Sequence, residues 1–164
     1  ERVRRDGVPY DRWVNDKYLH ATPGDVVDYD FVEAQLLAAN KTYEIPAGGT
    51  DPWNSRMLTQ RLMRGGMEMV EIPQDIKHMS PAMKTIEHLM KTGKLTHEKH
   101  PVARWCWGNV VVAVDGNENI KPMKNKSKER IDLTVALINA MATAMLFEEM
   151  DTDSVYNDRG FVTL

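Results

Sequence analysis

Residues 131–147 carry a single acid, Asp132, and otherwise almost only Leu, Val, Ile, Ala, Met and Thr. A segment that is apolar on nearly every side is stable in water only as a deeply packed helix. The reading is therefore a long, deeply packed helix over about 128–150. No apolar run in the chain reaches the roughly 18 residues a membrane helix requires. The length of 164 residues fits one domain, read as 1–150 with a polar tail at 151–164.

Upstream of that helix, strand and helix signals alternate. Residues 8–19 mix aromatic and polar groups and read as a strand or irregular edge, with Trp13, Val14 and Tyr18 as packing residues. Pro23-Gly24 marks a turn. Val27, Phe31, Ala34, Leu37 and Ala38 recur at helical spacing, and that helix is expected to end near Asn40. Tyr43, Glu44 and Ile45 suggest a strand leading to Gly48-Gly49-Thr50-Asp51, and Pro52 suits the first turn of a helix carrying Trp53, Met57, Leu58 and Leu62. Residues 67–72 read as a strand. Ser80-Pro81 has the chemistry of a helix start, with Met83, Ile86 and Met90 on the buried face and Gly93 at the end. Residues 102–114 are apolar and rich in Trp and Val, and their Val110-Val111-Val112 core reads as a strand, entered through Trp105, Cys106 and Trp107. Asp115-Gly116-Asn117 is a turn, with a return strand from Ile120. This order predicts an α/β layer fold.

Composition narrows the function. The net charge is −3, so any contact with nucleic acid must come from a local basic patch. A lone cysteine, Cys106, excludes an internal disulfide and suits a reducing cytoplasm. The opening residues carry no signal-peptide pattern and read as the interior of a longer protein. No phosphate-binding glycine loop is present, so ATP hydrolysis is not expected. His97 and His100 are three apart, but nothing completes a zinc set around them.

Two acids stand out. Asp51 follows a strand, where α/β sheets form their sites, and small neighbours leave it room to reach a metal ion. The competing reading is a cap on the helix begun by Pro52. Asp132 is the lone acid of the apolar helix. A buried carboxylate needs a partner such as a metal ion; alternatively it complements the helix dipole or pairs with Lys128 or Arg130. Lys121, Lys124, Lys126, Lys128 and Arg130 lead directly to it and are placed to hold DNA phosphates, unless they form a solvated loop. Core packing is the expected role of Trp105 and Trp107, and Cys106 is read as a buried hydrophobe.

Several stretches, taken in order, resemble the C-terminal half of the phage terminase large-subunit family over about residues 6–147. They are Gly24-Asp25-Val26-Val27-Asp28-Tyr29, Thr50-Asp51-Pro52-Trp53-Asn54, and Gly65-Gly66 followed by Val70-Glu71-Ile72-Pro73-Gln74. Then come Met79-Ser80-Pro81-Ala82-Met83-Lys84, His97 with Pro101, Arg104-Trp105-Cys106-Trp107-Gly108-Asn109-Val110, and Lys126-Ser127-Lys128-Glu129-Arg130-Ile131-Asp132. The resemblance implies an RNase H-like nuclease domain: a central mixed sheet flanked by helices, with acids holding two Mg²⁺ or Mn²⁺ ions. By position Asp51 looks like the family's middle acid and Asp132 like its last; the first acid and the opening strands are expected before Glu1. The implied role is cutting concatemeric viral DNA during packaging, in the cytoplasm of a bacterial host. The implied partners are double-stranded DNA, the terminase small subunit, the portal protein and an N-terminal ATPase motor. A rival reading is a non-catalytic DNA-gripping or portal-docking module on the same scaffold. A second is an unrelated α/β hydrolase or interaction domain, in which Asp51 and Asp132 would lie apart.

Overall fold

A computed structural model describes residues 2–53, 55–127 and 129–158, with side chains for all of these except 2, 5 and 149–158. The chain runs through α1 (Arg2–Asp6), α2 (Tyr10–Asn15), α3 (Tyr29–Tyr43), β1 (Gly48–Thr50), α4 (Arg56–Arg64) and β2 (Met69–Glu71). It continues through α5 (Ile76–Lys91), α6 (Pro101–Gly108), β3 (Val112–Val114), β4 (Ile120–Pro122) and α7 (Asp132–Asp158).

The C-terminal helix is the axis of the fold: α5, α6 and β1 all pack on it. Ile131 just before it and Val135, Ile138 and Ala142 along it are buried with Ile72, Met79, Ala82 and Ile86 in the larger core. Full burial of an Ile of this kind contributes about 1.5–3 kcal/mol. The helix is one-sided, however, rather than buried all round: Asp132, Ala136, Ala140 and Ala144 are exposed. Alanine counts as apolar in a sequence pattern, yet it costs little in water and is the best helix former. The helix also starts at Asp132 rather than residue 128, and it continues to Asp158, past the point at which a tail was expected.

The strands form two separate pairs among the described residues, where one central mixed sheet was expected. β1 and β2 are parallel, with Gly48, Gly49 and Thr50 opposite Met69, Val70 and Glu71. β3 and β4 form the expected antiparallel hairpin. Its turn is held by the Asp115 carboxylate, which accepts from Asn117 N, Asn119 N and Asn119 Nδ2 and is held below the usual carboxylate range, chiefly by the Asn119 side chain. The hairpin docks on α5 where Ile120 N donates to Ser80 Oγ at 3.1 Å.

That contact explains one misplaced boundary. Ser80 is 2% exposed and serves the hairpin, while α5 starts four residues earlier, capped by Asp75, whose Oδ1 accepts from His78 N. Pro81 therefore sits inside α5, its missing donor facing the exposed turn at Lys77. Gly93, at φ +68°, follows the helix end as expected. On the buried face of α5, Ile86 is buried and Met83 half-buried, but Met90 is 50% exposed.

Two aromatic stretches read as extended are helical. Residues 10–15 form α2 and residues 101–108 form α6, which pack together through Val8, Trp13, Val102 and Cys106, with Tyr10 and Trp105 against them. Trp13 and Trp105 lie 5.5 Å apart between ring centroids. Cys106 is buried, as expected, and burial pushes its thiol above the usual range.

α3 continues to Tyr43, past the expected end at Asn40, so Tyr43-Glu44-Ile45 is not a strand. None of the helix's residues is buried, because it packs chiefly on α4, with Arg61 bonding both Asp30 and Glu33. Val27 lies before α3 and is exposed. On α4, Leu62 is buried as expected and Met57 is exposed.

Candidate functional site

The site grows out of the way β1 meets α7. A Cβ on Gly49 would come within 2.2 Å of Thr143 Oγ1 and 2.7 Å of the Asn139 carbonyl oxygen, so only glycine lets the strand lie directly on the helix. Thr143 Oγ1 donates to that same carbonyl at 2.9 Å. The end of β2 is tied to the same point: Gln74 Nε2 donates to Ile72 O at 2.8 Å and to Asn139 Oδ1 at 3.1 Å. Two parallel strands thus finish side by side, and Asp51 leaves the carboxyl end of the first, where α/β sheets place ligands.

Asp51 does not cap a helix. Its Oδ1 accepts from Trp53 N at 3.0 Å, and Ser55 Oγ donates to its carbonyl oxygen. These bonds close a separate turn, which is why α4 begins only at Arg56 and neither Pro52 nor Trp53 is helical. Asp51 lines a cavity of about 400 Å³ whose other walls are Gln74, Met79, residues 121–125 and Val135.

Asp132 opens α7 three residues before Val135, which lines this cavity; Asp132 itself is not among the lining residues. Its side chain is 69% exposed, which corrects the expectation of a buried carboxylate. The first turn of an amphipathic helix has an open side, and Asp132 is on it. Lys124 joins the two acids: it lines the cavity with Asp51, and its Nζ lies 3.8 Å from Asp132 Oδ1. An open pair at this distance contributes only about 0.2–1 kcal/mol and is easily exchanged for another partner. Among the described residues Arg130 is not the cation paired with Asp132; Lys128 lies outside them.

Of the other expected phosphate contacts, Lys126 and Arg130 are exposed and do not line the cavity. Lys121, the first of that basic stretch, does, together with Gln74 and Asn125, neither of which had been singled out as a site residue. The available signal for Gln74 was topological: it follows the second of two parallel strands. His97 packs on Trp107 and His100 on Tyr18, each ring in its own aromatic contact.

The donor set suits a hard divalent cation but is partial. Asp51 and Asp132 offer carboxylate oxygens, the ligands Mg²⁺ and Mn²⁺ prefer. Among the described residues, no three His, Cys, Asp or Glu side chains come close enough together to hold a metal ion. Likewise, no described helix is long and apolar enough to cross a membrane.

The arrangement is that of an open, mixed-charge cleft at the carboxyl end of a strand pair, and comparison with known proteins shows which family builds it. The chain belongs to the terminase large subunit, endonuclease domain family, whose sequence model matches residues 1–148. It is 35% identical over 151 residues to protein YmfN of Escherichia coli (strain K12), covering 91% of this chain and 33% of that protein. It is 36% identical over 146 residues to the terminase large subunit of Enterobacteria phage HK97, covering 88% of this chain and 29% of that one. The crystal structure of the HK97 bacteriophage large terminase superposes with a TM-score of 0.79 at 35% identity, over 87% of this chain and 30% of that chain. The chain therefore spans about a third of the length of the curated relatives it matches.

Proposed function

We propose that this domain is the metal-dependent endonuclease part of a terminase large subunit, cutting double-stranded viral DNA during genome packaging. The observation that carries the reading is the cavity that Asp51, Lys121 and Lys124 line together, with Asp132 3.8 Å from Lys124. Family membership supports it. In this reading the β1–β2 pair belongs to a larger RNase H-like sheet. A lone pair of three-residue strands is too small to be stable by itself, and parallel strands are normally covered on both faces.

Asp51 and Asp132 would hold Mg²⁺ or Mn²⁺ together with a further acid contributed by the opening strand of that sheet. When bound, the metal ions supply an activated water and stabilise the leaving oxygen. The chain's own residues do the positioning. Gly49 and the Gln74–Asn139 bond fix Asp51 against α7, and Lys121 and Lys124 draw a phosphate into the cavity. Lys124 is the group that would release Asp132 to serve as a metal ligand. Lys126 and Arg130, on the approach to α7, extend the basic track along the DNA backbone. The same reading places the domain behind an N-terminal ATPase motor, beside the small subunit and portal protein, in the host cytoplasm.

One observation favours the non-catalytic alternative: Asp132 already has a cation, Lys124, within reach. Incubating the full-length protein with linear double-stranded DNA separates the two readings. Cutting is expected with Mg²⁺ or Mn²⁺ and is expected to stop when EDTA is added. DNA binding without cutting under either metal would leave the docking-module reading standing.

Lys124→Gln and Lys126→Gln are expected to weaken DNA binding alike on all sequences. Each lost phosphate contact should reduce the slope of log K against log salt by about 0.9. A titration across salt concentrations reads this directly, and an unchanged slope would return these lysines to a solvated loop.

A further inference from the structure

Trp53 has no place in the core. Trp13 is 8% exposed, and Trp105 and Trp107 lie in ring contacts, whereas Trp53 is 78% exposed. Leaving the largest apolar side chain in water forfeits its burial, which a partner covering the indole would restore. Its location identifies that partner. Trp53 N donates to Asp51 Oδ1, so its backbone is fastened to the candidate metal-holding acid, and the Ser55 hydroxyl closes the same turn. Pro52 between them restricts the backbone further. Two residues of chain separate the α-carbons by at most about 7 Å. Trp53 itself is not a lining residue; its backbone is held beside the Asp51 that lines the cavity together with Lys121 and Lys124.

We infer that Trp53 is a stacking wedge for DNA: its indole inserts against a base beside the phosphate drawn in by Lys121 and Lys124. This rests on the nuclease reading and adds to it a preference. Inserting an apolar wedge between base pairs costs unstacking energy, and that cost is least where a base is mismatched or already open. Cutting is therefore biased toward locally weakened steps of the duplex, without readout of sequence.

The test uses the full-length protein with Mg²⁺ or Mn²⁺ and two short duplexes of one sequence, one fully paired and one with a central mismatch. The wild type is expected to cut the mismatched duplex faster and within a step or two of the mismatch. Trp53→Ala is expected to lose that advantage, by roughly 5- to 100-fold, the range for removing one base-stacking aromatic. Trp53→Phe should keep most of it, and the melting temperature should not change in either variant. Equal cutting of both duplexes by the wild type would overturn the wedge, as would a bias that survives Trp53→Ala. Loss on both duplexes alike with a lowered melting temperature would overturn it too, marking an indole covered by another part of the parent chain. If the wild type cuts neither duplex, the nuclease reading fails and the wedge with it.

Discussion

Asp132→Asn is expected to reduce DNA cutting by the full-length protein at least roughly 100-fold, the scale on which an active site loses one preorganised electrostatic contact. The fold should survive. Asn is nearly isosteric, and the side chain it replaces is 69% exposed at the helix start, where no packing depends on it. The losses on the stability side are small: an exposed ion pair and a first-turn interaction with the helix dipole, together at most about 1 kcal/mol. The discriminating comparison is Lys124→Gln. If Asp132 served only as the partner of Lys124, removing either side chain would have the same modest effect. If Asp132 holds a metal ion, Asp132→Asn silences cutting while Lys124→Gln mainly weakens DNA binding. A cutting assay beside a melting curve on both variants decides the matter, and near-normal turnover in Asp132→Asn would remove it from the site.

Gly49→Ala is expected to destabilise the domain by about 1–3 kcal/mol, the usual cost of overpacking. The new methyl would meet the Asn139 carbonyl at 2.7 Å, and the backbone of a packed helix cannot step aside. Gly48 provides the control from the opposite face of the same strand. A methyl there meets the Met67 Cε and Met69 Sδ atoms at 2.9 Å, the far ends of flexible side chains, so Gly48→Ala should cost much less. The Gly49 change also pushes β1 off α7 two residues before Asp51. Misplacing a reacting group by about 1 Å can cost 100-fold in rate, so cutting should fall by more than the loss of folded protein explains. Equal melting temperatures for the two alanine variants would mean that β1 does not need its close contact with α7.

The sequence by itself determined the elements that local chemistry can specify. The strand at residues 69–71 and the turn at Asp115-Gly116-Asn117 with its return strand appear where expected, and the long C-terminal helix is present, though shifted to 132–158. So does Asp51 at the end of a strand. An extended apolar pattern, a turn dipeptide or a strand-end acid needs no knowledge of its neighbours. The ordered motifs likewise pointed to the family that the comparisons show.

Only the tertiary structure decided the rest. Trp, Cys and Val around residues 101–108 have the composition of a strand, and short apolar runs do not distinguish strand from helix. Packing of Cys106 and Trp105 against Trp13 resolves them as helical. Ser80 has the chemistry of a helix cap, but the hairpin takes its hydroxyl and Asp75 caps instead. Asp132 looked buried because it opens the apolar run 131–147; the helix is in fact buried on one face only, with Asp132 and three alanines on the other. Lys124 stands seventy-three residues from Asp51, and only the packing of the hairpin against α5 and of β1 against α7 brings both to one cavity. Periodicity reports how a segment meets its surroundings on average; which surroundings it meets depends on contacts between residues far apart in the chain.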